Sequence, residues 1–259
     1  MKKTLWLATG VIVFLSALAA ADKKPFTIDD LYRLKTVSGL VLAPARDRLV
    51  FEVSSSDLKK AEQNTDLFEI NLSSFTQKPL TTGKGSETSA FWSKDGNTLY
   101  FVSRRDGTPQ VYGLPVGGGE ARKLTDFAPG VSSPMLLADG KTIVFASAVY
   151  PECGSDAACH KKQADKLASG AVQAHLADSL LYRHWTGYRE FQYSHLFTCD
   201  LETGRVTMLT EGKIDYPAFN HGDGRGFDAS PDGRELCVVA NHDPRPETST
   251  NSDLFLLPL

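Results

Sequence analysis

FWSKDGNTLYF, residues Phe91 to Phe101, is the stretch that decides the fold, because the chain repeats its pattern. LAPARDRLVF (Leu42 to Phe51), LADGKTIVF (Leu137 to Phe145) and ASPDGRELCVV (Ala229 to Val239) share its layout of a tight turn followed by an apolar, aromatic run. In three of the four the turn is Asp-Gly, which supplies the positive φ of a two-residue hairpin, so strands are expected on both sides. A second set follows the first: DLFEI (66–70), QVYGL (110–114), HLFTC (195–199) and DLFLL (253–257). A third closes three of the units: Pro79-Leu80-Thr81, Lys123-Leu124-Thr125 and Met208-Leu209-Thr210.

The spacing of these sets is regular. Leu99 and Ile143 lie 44 residues apart, as do Leu80 and Leu124. Ile143 and Leu236 lie 93 residues apart with only one unit's strands between them, so one unit carries an insertion of about a full repeat. A recurrence of roughly 40–45 residues, with four short strands in each, is the pattern of β-propeller blades. A β-sandwich with irregular hairpins does not explain four copies in phase. The fold expected is all-β: an incomplete β-propeller of about four WD40-like or TolB-like blades, with an inserted helical arm at about 151–190.

The chain has 259 residues, 41% hydrophobic and 23% charged, ordinary values for a globular protein. A net charge of -3, with no long run of one sign, argues against nucleic acid as a partner. Residues 1–21 read as a secretory signal peptide. Lys2 and Lys3 precede an apolar run from Leu5 to Leu18, and Ala19-Ala20-Ala21 offers a small-residue cleavage site. The run is short for a membrane span, so the mature chain is expected to start near Asp22, to be exported to the periplasm or beyond, and to have no membrane association after cleavage.

Export makes disulfides feasible. Cys153 and Cys159 bracket the short loop Gly-Ser-Asp-Ala-Ala and are the candidate pair. A metal site of Cys153, Cys159 and His160 is the competing reading, and no second ligand cluster supports it. Cys199 and Cys237 lie in strand patterns with no adjacent base, and read as buried apolar residues.

NHDPRPETSTNSDLFLLPL (Asn241 to Leu259) resembles a propeller segment of the prolyl oligopeptidase (S9) serine peptidases, in the branch of dipeptidyl peptidase 5 and acylaminoacyl-peptidase. AHLADSLLYRHW (Ala174 to Trp185), after Tyr150-Pro-Glu-Cys153, is similar to the arm that this branch carries between propeller strands. The resemblance spans Asp22 to Leu259. It implies an N-terminal propeller over a C-terminal α/β-hydrolase domain, which would hold the catalytic Ser, Asp and His and would act on short peptides. No serine of this chain sits in the Gly-x-Ser-x-Gly elbow of such a domain; Ser86, in Gly83-Lys-Gly-Ser-Glu-Thr88, comes nearest. The hydrolase domain is therefore expected to be absent from this chain, a missing partner with which the propeller would work. No catalytic, cofactor or metal residue is assigned. The last unit lacks its Leu-Thr closure, and an uncovered strand edge is a hazard that finished proteins avoid, so the chain reads as a truncated front part.

Gln163 to Trp185 is read as helical, split by Gly170, with Val172, Leu176, Leu180, Leu181 and Trp185 on one apolar stripe. That stripe either packs on the propeller itself or edges a substrate entrance between domains. Tyr182, Arg183, His184 and Trp185 are the candidate interdomain or substrate-edge residues, since aromatics and Arg are favoured at buried interface anchors. Asn220 to Gly226 and Gly117 to Glu120 are glycine-rich connections; neither has the context of an oxyanion, calcium or phosphate loop. The function expected is the substrate-gating part of an exported serine exopeptidase that releases dipeptides or N-acylated residues. A non-enzymatic TolB-like binding propeller is the alternative.

Overall fold

In a computed structural model, which describes residues 24–218 and 224–259, the repeats form four antiparallel sheets. The signal-peptide reading of 1–21 lies outside the described residues, as do Asn220 to Asp223 of the glycine-rich connection. Blade one is β1 (Thr36–Leu42), β2 (Arg48–Asp57), β3 (Glu62–Asn71) and β4 (Gln77–Pro79), hydrogen-bonded in that order. Blade two repeats the meander with β5 (Glu87–Trp92), β6 (Thr98–Ser103), β7 (Gln110–Pro115) and β8 (Arg122–Lys123). Blade three has β9 (Ser132–Leu136) and β10 (Thr142–Val149). After the arm, which holds the two-residue strands β11 (Arg183–His184) and β12 (Gly187–Tyr188), blade three resumes with β13 (Tyr193–Asp200) and β14 (Val206–Met208). Blade four has three strands among the described residues: β15 (Phe227–Ala229), β16 (Glu235–Ala240) and β17 (Asp253–Pro258).

The Asp-Gly turns join first and second strands, but not as two-residue loops. In blade two the Gly96 N–H donates to Ser93 O at 3.0 Å, and the Ser93 N–H donates to Thr98 O at 2.9 Å. This is a longer loop built on one tight turn, with Gly96 in the left-handed region at φ 70°. The Asp95 carboxylate accepts from Ser93 Oγ and from the Asn97 N–H, so the Asp folds the turn while the Gly reverses the chain. The same donor and acceptor pair recurs at Gly140 and Leu137, and at Gly233 and Ser230. In blade one Arg46, at φ 57°, takes the glycine's place.

Why the strands look apolar on both sides is clear from the stacking. β10 sends Ile143, Phe145 and Val149 toward blade two, alongside Phe197 of β13, and there they meet Val102, Val111 and Phe127. Its Val144 and Ala146, with Leu196 of β13, face blade four, against Phe227, Leu236 and Val238. A third cluster, with Val50, Leu67, Trp92, Leu99 and Phe101, joins blades one and two. A strand packed between two sheets has no solvent side, so the period-two alternation of a half-buried strand is lost. Cys199 belongs to the cluster between blades two and three, and burial pushes its thiol up to about 11.

The Leu-Thr closure has a specific role. In blades one to three the Leu N–H donates back to the third strand: Leu80 to Leu67 O, Leu124 to Val111 O and Leu209 to Leu196 O, at 2.7–2.8 Å. The next residue, always Thr, accepts from the same third-strand residue. Leu67, Val111 and Leu196 N–H groups donate to Thr81, Thr125 and Thr210 Oγ1 at 2.9, 3.0 and 3.0 Å. The outer strands are two or three residues long, so this two-point latch supplies much of what holds them. Thr125→Val keeps the shape but leaves the Val111 N–H without its partner and removes one of the two donors to Gln110 Oε1. It is expected to cost about 1–3 kcal/mol in urea unfolding, against a change within about 0.5 kcal/mol for the solvent-facing Thr207→Val.

Candidate functional site

The site is built on one end of the propeller. First-strand starts, second-strand ends and third-strand starts meet there, and the long insertion of blade three emerges between Val149 and Tyr193, which are themselves a cross-strand pair. Pro151–Cys153 forms one 3-10 turn, and Ala157–Ser169 is a helix whose N-terminus is capped by the Asp156 carboxylate, accepting from the Ala158 and Cys159 N–H groups. Cys153 and Cys159 are joined as a disulfide, with Cα atoms 5.5 Å apart. Both sulfurs are spent in that bond, so the alternative metal reading with His160 fails. His160 is buried, packs edge-on against Phe127 and bonds Gly154 O through Nε2 at 2.9 Å. Ser155 Oγ accepts from the Met208 N–H at 2.9 Å, so the arm's base is fixed to both the core and the outer strand of its blade.

Beyond Ser169 the expected helix is not found. Helix occupies Ala157–Ser169, earlier than the expected Gln163 to Trp185, and Gly170 caps it where a split had been expected. Leu181, Trp185, Glu190 and Phe191 all have positive φ, which a right-handed helix excludes. The i+4 spacing of Val172, Leu176 and Leu180 has no packing partner to stabilise a helix, and most helical stability comes from such packing. Val172, Leu176, Leu180 and Leu181 remain exposed, and Trp185 is 83% exposed. The stripe does not pack on its own propeller.

The four residues singled out in the sequence lie together at the arm's tip. Arg183 and His184 pair with Tyr188 and Gly187 across the β11–β12 hairpin, with Trp185 in its turn. The Arg189 N–H donates to Tyr182 O at 2.8 Å, which closes the hairpin's base. What holds the hairpin down was not read from the sequence. Arg189 forms an ion pair with Asp215 and lies over the Tyr193 ring at 4.4 Å. Asp215 also accepts from the Ser194 N–H at 2.8 Å. His175 stacks flat on Tyr188, ring centroids 3.5 Å apart, and bonds Glu190 through Nδ1. Apart from Arg189 and Tyr193, which are four residues apart, these partners are separated by 13 to 26 residues, and no local pattern links them. Beside the hairpin runs a small open groove of about 30 Å³, lined by Leu176, Leu180, Tyr182, Tyr188, Phe191 and Tyr193, among others.

On the same end of the molecule, at the start of β5, Glu87 is fully buried. Its Oε1 accepts from Ser103 Oγ at 2.9 Å and from Arg105 at 3.2 Å, and Arg105 in turn covers the Tyr112 ring at 4.7 Å. This buried pair was also missed, because Glu87 opens β5 and Arg105 lies 18 residues on, in the loop after β6. Among the described residues, no group of three or more His, Cys, Asp or Glu side chains is placed to hold a metal ion. The arrangement is a surface for apolar and aromatic contact, held by ion pairs and a disulfide.

Comparison with known proteins agrees with this architecture. Uncharacterized peptidase YuxL of Bacillus subtilis is 30% identical over 91% of the chain and 34% of its own length. Dipeptidyl-peptidase 5 of Porphyromonas endodontalis is 24% identical over 98% of the chain and 38% of its own length. The chain thus spans about a third of the curated relatives it matches. Among solved structures, an acylaminoacyl peptidase of Pyrococcus horikoshii superposes with a TM-score of 0.61 at 12% identity, over 88% of this chain and 31% of that one; the likeness is one of fold. Residues 35–173, more than half of the chain, match the family described as TolB beta propeller domain. With that match, its four stacked sheets and peptidases as its curated relatives, the chain belongs to the TolB beta propeller domain family.

Proposed function

We propose that this chain is the substrate-gating propeller portion of an exported serine exopeptidase of the prolyl oligopeptidase type, one that releases dipeptides or N-acylated residues from short peptides. The observation that carries this reading is the arm. Its base is fixed by a disulfide and by Ser155, yet Val172, Leu176, Leu180, Leu181 and Trp185 are left exposed. Exposed apolar groups gathered on one rigidly based element fit a surface that a second domain covers. That second domain is proposed to be an α/β-hydrolase domain, and the relatives' names support a peptidase. There a serine would be acylated with a histidine as base, and an oxyanion hole would hold the developing charge. The propeller's part is exclusion: closing over such a site admits short peptides and refuses folded proteins. The disulfide supports export, since such bonds persist in oxidising compartments.

The TolB description of the matching family favours a second reading, a binding propeller with no enzymatic partner. The arm weighs against it, because a scaffold that only presents a blade face has no use for an inserted, disulfide-based apolar element.

Three outcomes are expected. Purified chain is expected to cleave neither dipeptidyl nor N-acyl-aminoacyl reporter substrates; turnover that a serine reagent abolishes would refute the gating assignment. The reading frame beyond codon 259 in the source DNA is expected to run on into a Gly-x-Ser-x-Gly elbow, and a stop codon there would leave the binding-propeller reading standing. Secretion followed by N-terminal sequencing is expected to return a mature chain beginning at Asp22, and a retained Met1 would remove the export proposal.

A further inference from the structure

The three latches are alike in their Thr and differ in the residue beside it. Immediately before Leu67, Val111 and Leu196 stand Asp66, Gln110 and His195. In blade two, Gln110 Oε1 accepts from Thr125 Oγ at 2.7 Å, while its Nε2 donates to Phe127 O at 2.7 Å. In blade three, His195 makes the same pair of bonds: Nδ1 to Thr210 Oγ1 and Nε2 to Gly212 O, each at 2.9 Å. The imidazole keeps these two bonds and lacks the third one of the amide, in which Gln110 Oε1 also accepts from the Phe127 N–H at 3.2 Å. Only the imidazole can change charge near neutral pH.

The hydrogen-bond roles follow from elimination. Gly212 O can only accept, so Nε2 carries the ring proton. In the neutral ring Nδ1 is then unprotonated and can only accept, so the Thr210 hydroxyl, which itself accepts from the Leu196 N–H, donates to it. A second ring proton turns Nδ1 from acceptor to donor, so Thr210 Oγ1 has to accept from the ring as well as from the Leu196 N–H. Thr210 must turn its hydrogen away from the only acceptor shown for it, and a charge is left in a side chain with no exposed surface.

We propose that blade three carries an acid-sensitive latch, in which protonation of His195 withdraws the acceptor that holds the Thr210 hydroxyl and loosens the segment anchoring the arm. The location gives the change a consequence. Two residues before His195, β13 begins; its Ser194 N–H is held by Asp215, and Asp215 is the partner of Arg189 in the arm. The Tyr216 N–H, six residues after Thr210, donates to Ser194 O at 2.7 Å. Latch and clasp are therefore one hydrogen-bonded unit spanning Arg189 to Tyr216.

The charged and titratable groups around the ring come from several elements. Asp215 and Glu211, after the outer strand, favour the charged ring, and Arg189 of the arm is tied to Asp215. Tyr216 lies 6.2 Å away by ring centroids, with His242 of the β16–β17 connection bonded to its hydroxyl at 2.7 Å. From β10 the cross-strand neighbour is Ser147, whose hydroxyl is spent on Gly130 O. Burial outweighs the two carboxylates and holds His195 below its ordinary value of 6.5. A histidine lowered in the folded state stabilises the fold fully above its unfolded value. That contribution is lost as pH falls through the lowered folded value.

Hydrogen–deuterium exchange on the full chain, corrected for intrinsic rates, tests this at about pH 7.5 and about pH 5. Amides of 189–196 and 209–216 are expected to lose about tenfold or more of their protection in acid. Those of 110–127, latched by Gln110, are expected not to. His195→Gln, which copies the blade-two latch, is expected to abolish the loss. Equal loss in blade two, or an undiminished loss in His195→Gln, would overturn the proposal. Should that variant not fold, imidazole nitrogen spectra of the wild-type chain decide independently. The expected spectrum has the Nε2-protonated ring at neutral pH, titrating in step with the Leu196 amide. A ring that stays neutral to about pH 4 overturns it.

Discussion

A threonine hydroxyl holding the edge of each of blades one to three is the interaction on which the rest of this structure depends. The outer strands β4, β8 and β14 are too short to be kept in place by ladder hydrogen bonds alone. Each is fixed where a Leu N–H and a Thr Oγ1 engage opposite groups of one third-strand residue. With the outer strand in place, the third strand is shielded on its edge, and its side chains can be committed to the interfaces between blades. The cores between sheets then form as a series, each blade supplying one face to each neighbour.

How much of this was legible in the sequence depended on whether the determinants were local. The Asp-Gly turns, the aromatic strands and the Leu-Thr closures recur in fixed order, and a repeat lets weak signals reinforce one another. The blade order and the site of the insertion follow from that alone. The loop type did not follow, because Asp-Gly serves several turn geometries and only the Ser93–Thr98 and Ser93–Gly96 bonds distinguish them. The arm was misread for a different reason. Leu176 and Leu180 have helical spacing, but spacing reports a helix only when something buries the stripe. The left-handed residues Leu181, Trp185, Glu190 and Phe191 give no compositional warning, since none of them is Gly or Asn. Arg189 with Asp215, and Glu87 with Arg105, are products of the fold and could be found only in three dimensions.

The arm combines a rigid root with a loosely supported tip. Disulfide, N-cap and His160 tie the root into the same cluster of rings, Phe127, Phe145 and Phe197, that joins blades two and three. The tip is held by polar and ring contacts, Arg189 on Asp215 and His175 on Tyr188, and buries little apolar surface of its own. Segments with few buried contacts open at low free-energy cost. Such an element can adjust to what it meets without disturbing the sheets beneath.

The insertion leaves and re-enters the sheet at Val149 and Tyr193, which face each other across adjacent strands. The cost of closing a flexible loop rises only slowly with its length, about 0.6 kcal/mol per doubling. From the blade's side, a 43-residue excursion and a short hairpin therefore impose nearly the same demand. The third blade is a modular socket: what is plugged between those two residues can lengthen, shrink or be exchanged for another element, and the ladder that flanks it keeps its register.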